Sequence, residues 1–166
     1  MTGESSLFEV ERVGQLSCVR LLSGALAIGH RPPLRALEKM RQAKITHIVS
    51  VLSERENPCA IAAAASDAGL EWFWIELGST KILPARAKPE LVQAVRALTS
   101  ILSAGGRIYL HCSAGIHRTG MIAAALLFHL GYSESDVVDG VAALRQITAS
   151  EMGTDRLNWA RSFAPS

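Results

Sequence analysis

The chain has 166 residues, 49% of them apolar and 19% charged, with a formal charge of +2. That length suits one domain with a substantial core, and so small a charge gives no case for binding nucleic acid. The longest apolar run, residues 121–128, falls far short of a membrane span, and the cysteines Cys18, Cys59 and Cys112 fit neither a paired disulfide framework nor a metal-ligand spacing.

Residues 1–14 are polar and are expected to be a loose lead-in to a single domain over 15–166. They carry no basic region followed by an apolar stretch, which argues against a secretory signal. With an odd set of thiols, the expected compartment is the reducing cytoplasm. Residues 16–22 and 25–28 read as two short strands joined at Ser23-Gly24, a hairpin. Pro32 and Pro33 introduce a helix through Leu34, Leu37, Met40 and Arg41. Residues 46–52 are β-branched and apolar, hence a buried strand. Asn57-Pro58 opens an alanine-rich helix that Gly69 stops. Residues 70–77 hold Trp72, Phe73 and Trp74 and form a strand whose aromatics are expected in the core and in a pocket wall.

A loop over 78–88 leads to a helix that starts at Pro89 and carries the stripe Leu91, Val92, Val95, Leu98 and Leu102. Gly105-Gly106 then turns the chain into a strand at 107–110. Residues 121–130 are apolar on nearly every side, so this helix is expected to be central and buried, with His129 a core or rim residue and not a ligand. Ser133 caps the next helix, with Val137, Val141 and Leu144 inward. Thr154 caps a last one, with Leu157, Ala160 and Phe163 inward. Strands alternating with helices imply an α/β fold, a mainly parallel central sheet flanked by helices on both faces.

The most informative segment is His111-Cys112-Ser113-Ala114-Gly115-Ile116-His117-Arg118-Thr119-Gly120, set between two apolar runs. The layout is strand, tight loop, helix, with the loop following the C-terminal end of a strand, where open α/β sheets carry their ligands. Backbone N–H groups and a helix N-terminus converge there on one spot, which is a phosphate site. A thiol at that spot is expected to lose its proton, because the helix dipole and the nearby guanidinium both favour thiolate.

This segment resembles the signature of the protein tyrosine phosphatase superfamily, and the spacing and size of the chain look most like its small dual-specificity branch. Leu26-Ala27-Ile28-Gly29-His30-Arg31-Pro32 is similar to that family's early strand entry, and Lys44-Ile45-Thr46-His47-Ile48-Val49-Ser50-Val51-Leu52 to its second buried strand. The resemblance implies a cysteine phosphatase-like fold in which Cys112 is the nucleophile and forms a phosphocysteine. Amides of Ser113, Ala114, Gly115, Ile116, His117 and Arg118 would surround the phosphate, and Arg118 would hold two of its oxygens in a bidentate fork. Thr119 would donate a hydroxyl hydrogen bond to the sulfur, and His111 would order the loop. The resemblance implies no metal and no organic cofactor.

The family supplies an aspartic acid from a loop upstream of the cysteine to protonate the leaving oxygen, but residues 76–84 here contain no aspartate. Glu76 is the nearby carboxylate and the candidate acid. Losing an acid costs about 10²–10⁴ in rate for a poor leaving group, which favours phenolates. The expected reaction is hydrolysis of phosphotyrosine, phosphoprotein or similar aryl phosphomonoesters. Lys81, Arg86 and Lys88 beside the site, with His117 in it, suit an alternative substrate with several phosphates: an inositol phosphate, a phosphoinositide headgroup or an RNA 5′-triphosphate end. A second alternative is a pseudophosphatase that binds phosphate without turnover. Partners would be a phosphorylated protein or small molecule, with nucleic acid entering only as that RNA end. Cys59 is expected to be a buried structural thiol in preference to a redox partner of Cys112.

Overall fold

The alternation of apolar runs and helical stripes resolves into six strands and six α-helices among residues 6–78 and 88–166, which the computed structural model describes. The strands are β1 (Val10–Val13), β2 (Leu16–Leu21), β3 (Gly24–Gly29), β4 (His47–Leu52), β5 (Glu71–Glu76) and β6 (Arg107–His111). The helices are α1 (Leu37–Gln42), α2 (Pro58–Asp67), α3 (Pro89–Ser103), α4 (His117–His129), α5 (Glu134–Leu144) and α6 (Gln146–Arg161). One sheet runs in the order β1-β2-β3-β6-β4-β5. The first three strands form an antiparallel meander, while β3, β6, β4 and β5 lie parallel. Parallel neighbours need crossovers, and α1, α2 and α3 supply them.

The period-two alternation along each strand divides the core into two layers. Leu26, Ile28, Val49, Val51, Ile108 and Leu110 face α3, α4, α5 and α6. Ala25, Ala27, Ile48, Leu52 and Tyr109 face Leu37 of α1 and Ile61 and Ala65 of α2. Helix α4 is the centre of the larger layer: every residue from 119 to 128 is buried. Its alanines at 123, 124 and 125 leave neighbouring helices room to approach on all sides.

The structure corrects several expectations. Residues 10–13, assigned to a loose lead-in, are strand β1; backbone pairing to β2 and an ion pair between Glu11 and Arg107 at 3.1 Å hold it. Three of its four residues are exposed and only Val13 packs partly on the core, so no hydrophobic alternation announces it. Phe8 just before it is buried and stacks beside Tyr132 at 5.1 Å, in space that Gly140 leaves free. The helix expected from Leu34 begins as a single 3₁₀ turn, Leu34–Ala36. Helix α4 starts at His117, four residues early, because the loop itself winds into it. Helix α6 is two helical stretches that meet at Gly153, whose backbone is not helical (φ 75°, ψ 162°): the expected last helix begins directly after it, at Thr154, and an unexpected one over 146–152 precedes it. Cys59 is exposed, not buried. The buried positions of α2 are Pro58, Ile61 and Ala65, and position 59 points away from that stripe. Trp72, Phe73 and Trp74 are half-buried because β5 is an edge strand.

Candidate active site: a thiol ringed by amides

Strand register brings the site together. Gly29 of β3 and Ser50 of β4 both pair with His111, the last residue of β6. The segments that follow these three strands therefore leave the sheet at one level and converge. Two of them line a pocket of about 390 Å³, with Ser53 and Glu56 from the segment after β4, and Cys112, Ser113, Ala114, His117 and Arg118 from the segment after β6.

Cys112 is 3% exposed. Burial is the largest influence on its thiol and pushes the pKa up, but hydrogen bonding from Thr119 and from the amides of Thr119, Gly115 and Ile116 outweighs it, and the pKa is lowered. The Gly115 amide donates to Sγ at 3.3 Å. The Thr119 hydroxyl acts on the sulfur in the same direction, although its buried oxygen makes no hydrogen bond of regular geometry among the described residues. Gly115 has φ +70°, and a Cβ there would sit 2.1 Å from the Gly29 carbonyl. Gly115→Ala is therefore expected to open the ring: turnover falls below a tenth of the parent's, and stability drops by about 2 kcal/mol or more. Chemical denaturation read alongside aryl phosphate hydrolysis checks both.

His111 is fully buried and fixes the first peptide of the loop. Its Nδ1 lies 2.8 Å from the Cys112 carbonyl oxygen, which can only accept, so this nitrogen carries the proton. Nε2 is then the acceptor for the Ser50 hydroxyl at 2.7 Å, and Ser50 in turn accepts from Trp72 Nε1 at 3.1 Å. Burial above all pushes the imidazole pKa down to about 4. The ring is neutral throughout the physiological range and serves as a strut.

Arg118 is held by a residue the sequence reading did not select. Its Nη1 and Nη2 donate to the two carboxylate oxygens of Glu56 at 2.6 and 2.9 Å, and Nη1 also donates to the Leu77 carbonyl at 3.1 Å. Glu56 also accepts from the Ser53 amide at 2.8 Å and the Ser113 hydroxyl at 2.8 Å. The Arg118 guanidinium, first of these influences, holds the Glu56 carboxyl far below the usual carboxylate range against the opposing effect of burial. The end-on pairing leaves the Nε edge of Arg118 as the side that can meet a phosphoryl group. The signal was present in Ser53-Glu54-Arg55-Glu56, a Ser-x-x-Glu pattern directly after a buried strand.

Glu76 is exposed at the end of β5, opposite Leu52, and is not among the residues that line the pocket. Glu56 is the lining carboxylate, and its ionisation unfits it as a proton donor. Lys88 is exposed at the start of α3, while Lys81 and Arg86 lie outside the described residues. None of the aromatics of β5 lines the pocket. Among the described residues no group of three or more His, Cys, Asp or Glu side chains could hold a metal ion, and no helix is long and apolar enough to cross a membrane.

Residues 27–154 match the family model described as dual specificity phosphatase, catalytic domain. No curated protein matches significantly by sequence. Among solved structures, PTPMT1 in complex with PI(5)P superposes with TM-score 0.67 at 17% identity, covering 83% of this chain and 88% of that one. TpbA of P. aeruginosa in complex with pTyr gives 0.59 at 15% identity, covering 96% of each chain. The core catalytic domain of the PP-IP phosphatase SIW14 of S. cerevisiae gives 0.63 at 15% identity, covering 85% and 80%. Likeness at these identities establishes a shared fold.

Proposed function

The chain belongs to the dual specificity phosphatase family and is a cysteine-based phosphatase, and from that premise we propose that it hydrolyses phosphotyrosine or similar aryl phosphomonoesters through a phosphocysteine at Cys112. The observation that carries this reading is the buried sulfur faced by the Gly115, Ile116 and Thr119 amides, with Arg118 locked beside it. The thiolate attacks phosphorus, an S–P bond forms, and the ester P–O bond breaks with its electrons on the leaving oxygen. Water then attacks phosphorus, the S–P bond breaks, and inorganic phosphate leaves as the thiolate is regenerated. Amides and guanidinium stabilise charge on the equatorial oxygens in both steps.

Among the described residues the carboxylate lining the pocket is the ionised Glu56, which has no proton for the leaving oxygen, and residues 79–87 contain neither aspartate nor glutamate. A phenolate leaves without that help; an alkoxide does not. Aryl phosphates are therefore expected to react about 10²–10⁴ times faster than alkyl phosphates of similar size. Steady-state rates for para-nitrophenyl phosphate, phosphotyrosine peptide and phosphoserine peptide, with and without vanadate, test this. Equal rates for the tyrosine and serine peptides would refute the acid-free mechanism.

A second reading has a specific observation in its favour. Arg31 donates to the carbonyls of Glu56 and Asn57, and Arg145 to those of Ala114 and Gly115, and neither makes an ion pair among the described residues. Their charges stand beside the cradle without a carboxylate, which suits a substrate bearing a second phosphate. PTPMT1 with bound PI(5)P and the PP-IP phosphatase SIW14 share the fold. Adding phosphoinositides and inositol polyphosphates to the same panel decides between the two.

A further inference from the structure

The direction in which the loop amides point is set by what holds the carbonyls behind them. A trans peptide unit aims its C=O and its N–H in opposite directions, so a partner that fixes a carbonyl outward turns the following amide inward. Three successive units of the loop are fixed in this way. The Ser113 carbonyl accepts from the Arg31 amide at 2.9 Å. The Ala114 carbonyl accepts from Arg145 Nη1 at 3.0 Å. The Gly115 carbonyl accepts from the same Nη1 at 3.0 Å and from Thr148 Oγ1 at 2.7 Å.

The amides coupled to the last two carbonyls are those of Gly115 and Ile116, both of which act on the sulfur. Thr148 is fully buried. Arg145 is the single residue between α5 and α6, with extended backbone (φ −165°, ψ 114°). We propose that Arg145 and Thr148 are positioning residues for phosphoryl transfer: from the α5–α6 junction they turn the Gly115 and Ile116 amides onto the sulfur and onto the oxygens of the phosphoryl group it attacks. This role rests on the cysteine-phosphatase reading above. Arg145 adds charge as well as direction, because a guanidinium against the negative ends of two peptide dipoles makes these hydrogen bonds stronger than neutral ones.

The other titratable and charged groups around the sulfur are Glu56 after β4, Tyr109 and His111 on β6, His117 and Arg118 on α4, and His30 and Arg31 after β3. The variants that test the role leave all of them in place. Thr148→Val removes the hydroxyl with little change of shape, Arg145→Met removes the guanidinium, and Arg145→Lys keeps the charge but loses the planar fork. Cys59 is exposed, so all are made in a Cys59→Ser background.

The pH dependence of Cys112 alkylation by iodoacetate reads the thiolate without requiring turnover, and vanadate titration reads oxyanion binding. The alkylation midpoint is expected to rise by about half a pH unit in Thr148→Val and about one unit in Arg145→Met, with vanadate affinity down about threefold and tenfold; Arg145→Lys recovers part of both. Midpoints within about 0.2 units of the parent and vanadate affinity within about twofold, with only the melting temperature lowered, would overturn the role. If Arg145→Met does not fold, Thr148→Val and Arg145→Lys decide by the same criteria. A parent that alkylates with the expected shifts yet hydrolyses no phosphate would refute the catalytic reading and leave the amide-positioning standing.

Discussion

Cys112→Ser is expected to lower turnover of an aryl phosphate by on the order of 10⁴-fold or more while leaving oxyanion binding within a few fold of the parent. The two halves of this expectation come from different atoms. Turnover needs an anionic nucleophile, and hydrogen bonding from Thr119 and from the amides around position 112 lowers the pKa of a thiol whose ordinary value is about 8.5. A serine hydroxyl starts many units higher, beyond what three amides can shift. Oxyanion binding depends on backbone N–H groups and on Arg118, and none of these changes in the variant. Single-turnover phosphate release and calorimetric titration with vanadate measure the two separately. A serine variant that turned over within tenfold of the parent would remove Cys112 from the chemistry.

Glu56→Gln is expected to lower kcat by about 10- to 100-fold, and Arg118→Lys by about 10³-fold. Lysine offers one point charge where the guanidinium offers two edges, one for Glu56 and one for the phosphoryl group. Glutamine keeps the shape of Glu56 but loses the charge that grips both Nη groups at 2.6 and 2.9 Å. Arg118 then has several orientations to choose among, and only one presents its Nε edge to the pocket. Because the two residues act as a unit, the double variant is expected to lose little more than Arg118→Lys alone. Full additivity of the two losses, or a Glu56→Gln enzyme with unchanged kcat, would show that the pair does not orient the arginine.

The sign of the linkage follows from the depressed Glu56 pKa. Its contribution is fully present above the ordinary glutamate pKa of about 4.3 and is lost only as pH falls through the much lower folded value. Glu56 accordingly imposes no acidic limb on the rate in the range where Cys112 ionises. An acidic limb is expected instead from the thiol, whose pKa is lowered, and from the substrate phosphate.

Fold class, most of the elements and the loop that carries the cysteine signature were legible along the chain. A buried strand such as 107–110 and a helix such as 121–130 announce themselves because burial on both faces or on all sides demands an unbroken apolar run. The loop between them is legible because one short segment holds the thiol, the amides and the guanidinium together. Elements with little apolar surface to bury were not legible: three of the four β1 residues are exposed, and the helical stretch before Gly153 buries only Thr148 and Met152.

What braces the loop became visible once the chain was folded. Glu56, Arg31, Arg145 and Thr148 lie in three separate segments, and no spacing along the chain relates them to Cys112. Strand register brings Arg31 and Glu56 to the loop, because Gly29 and Ser50 both pair with His111 and the segments following β3, β4 and β6 emerge side by side, while Arg145 and Thr148 reach it from the α5–α6 junction. Hydrogen bonds to carbonyls ask for a donor at the right point in space and leave no periodic trace in a sequence. Glu76 ends β5 and does not line the pocket for the same reason: position along the chain carried no information about which carboxylate the folded sheet would place beside the arginine.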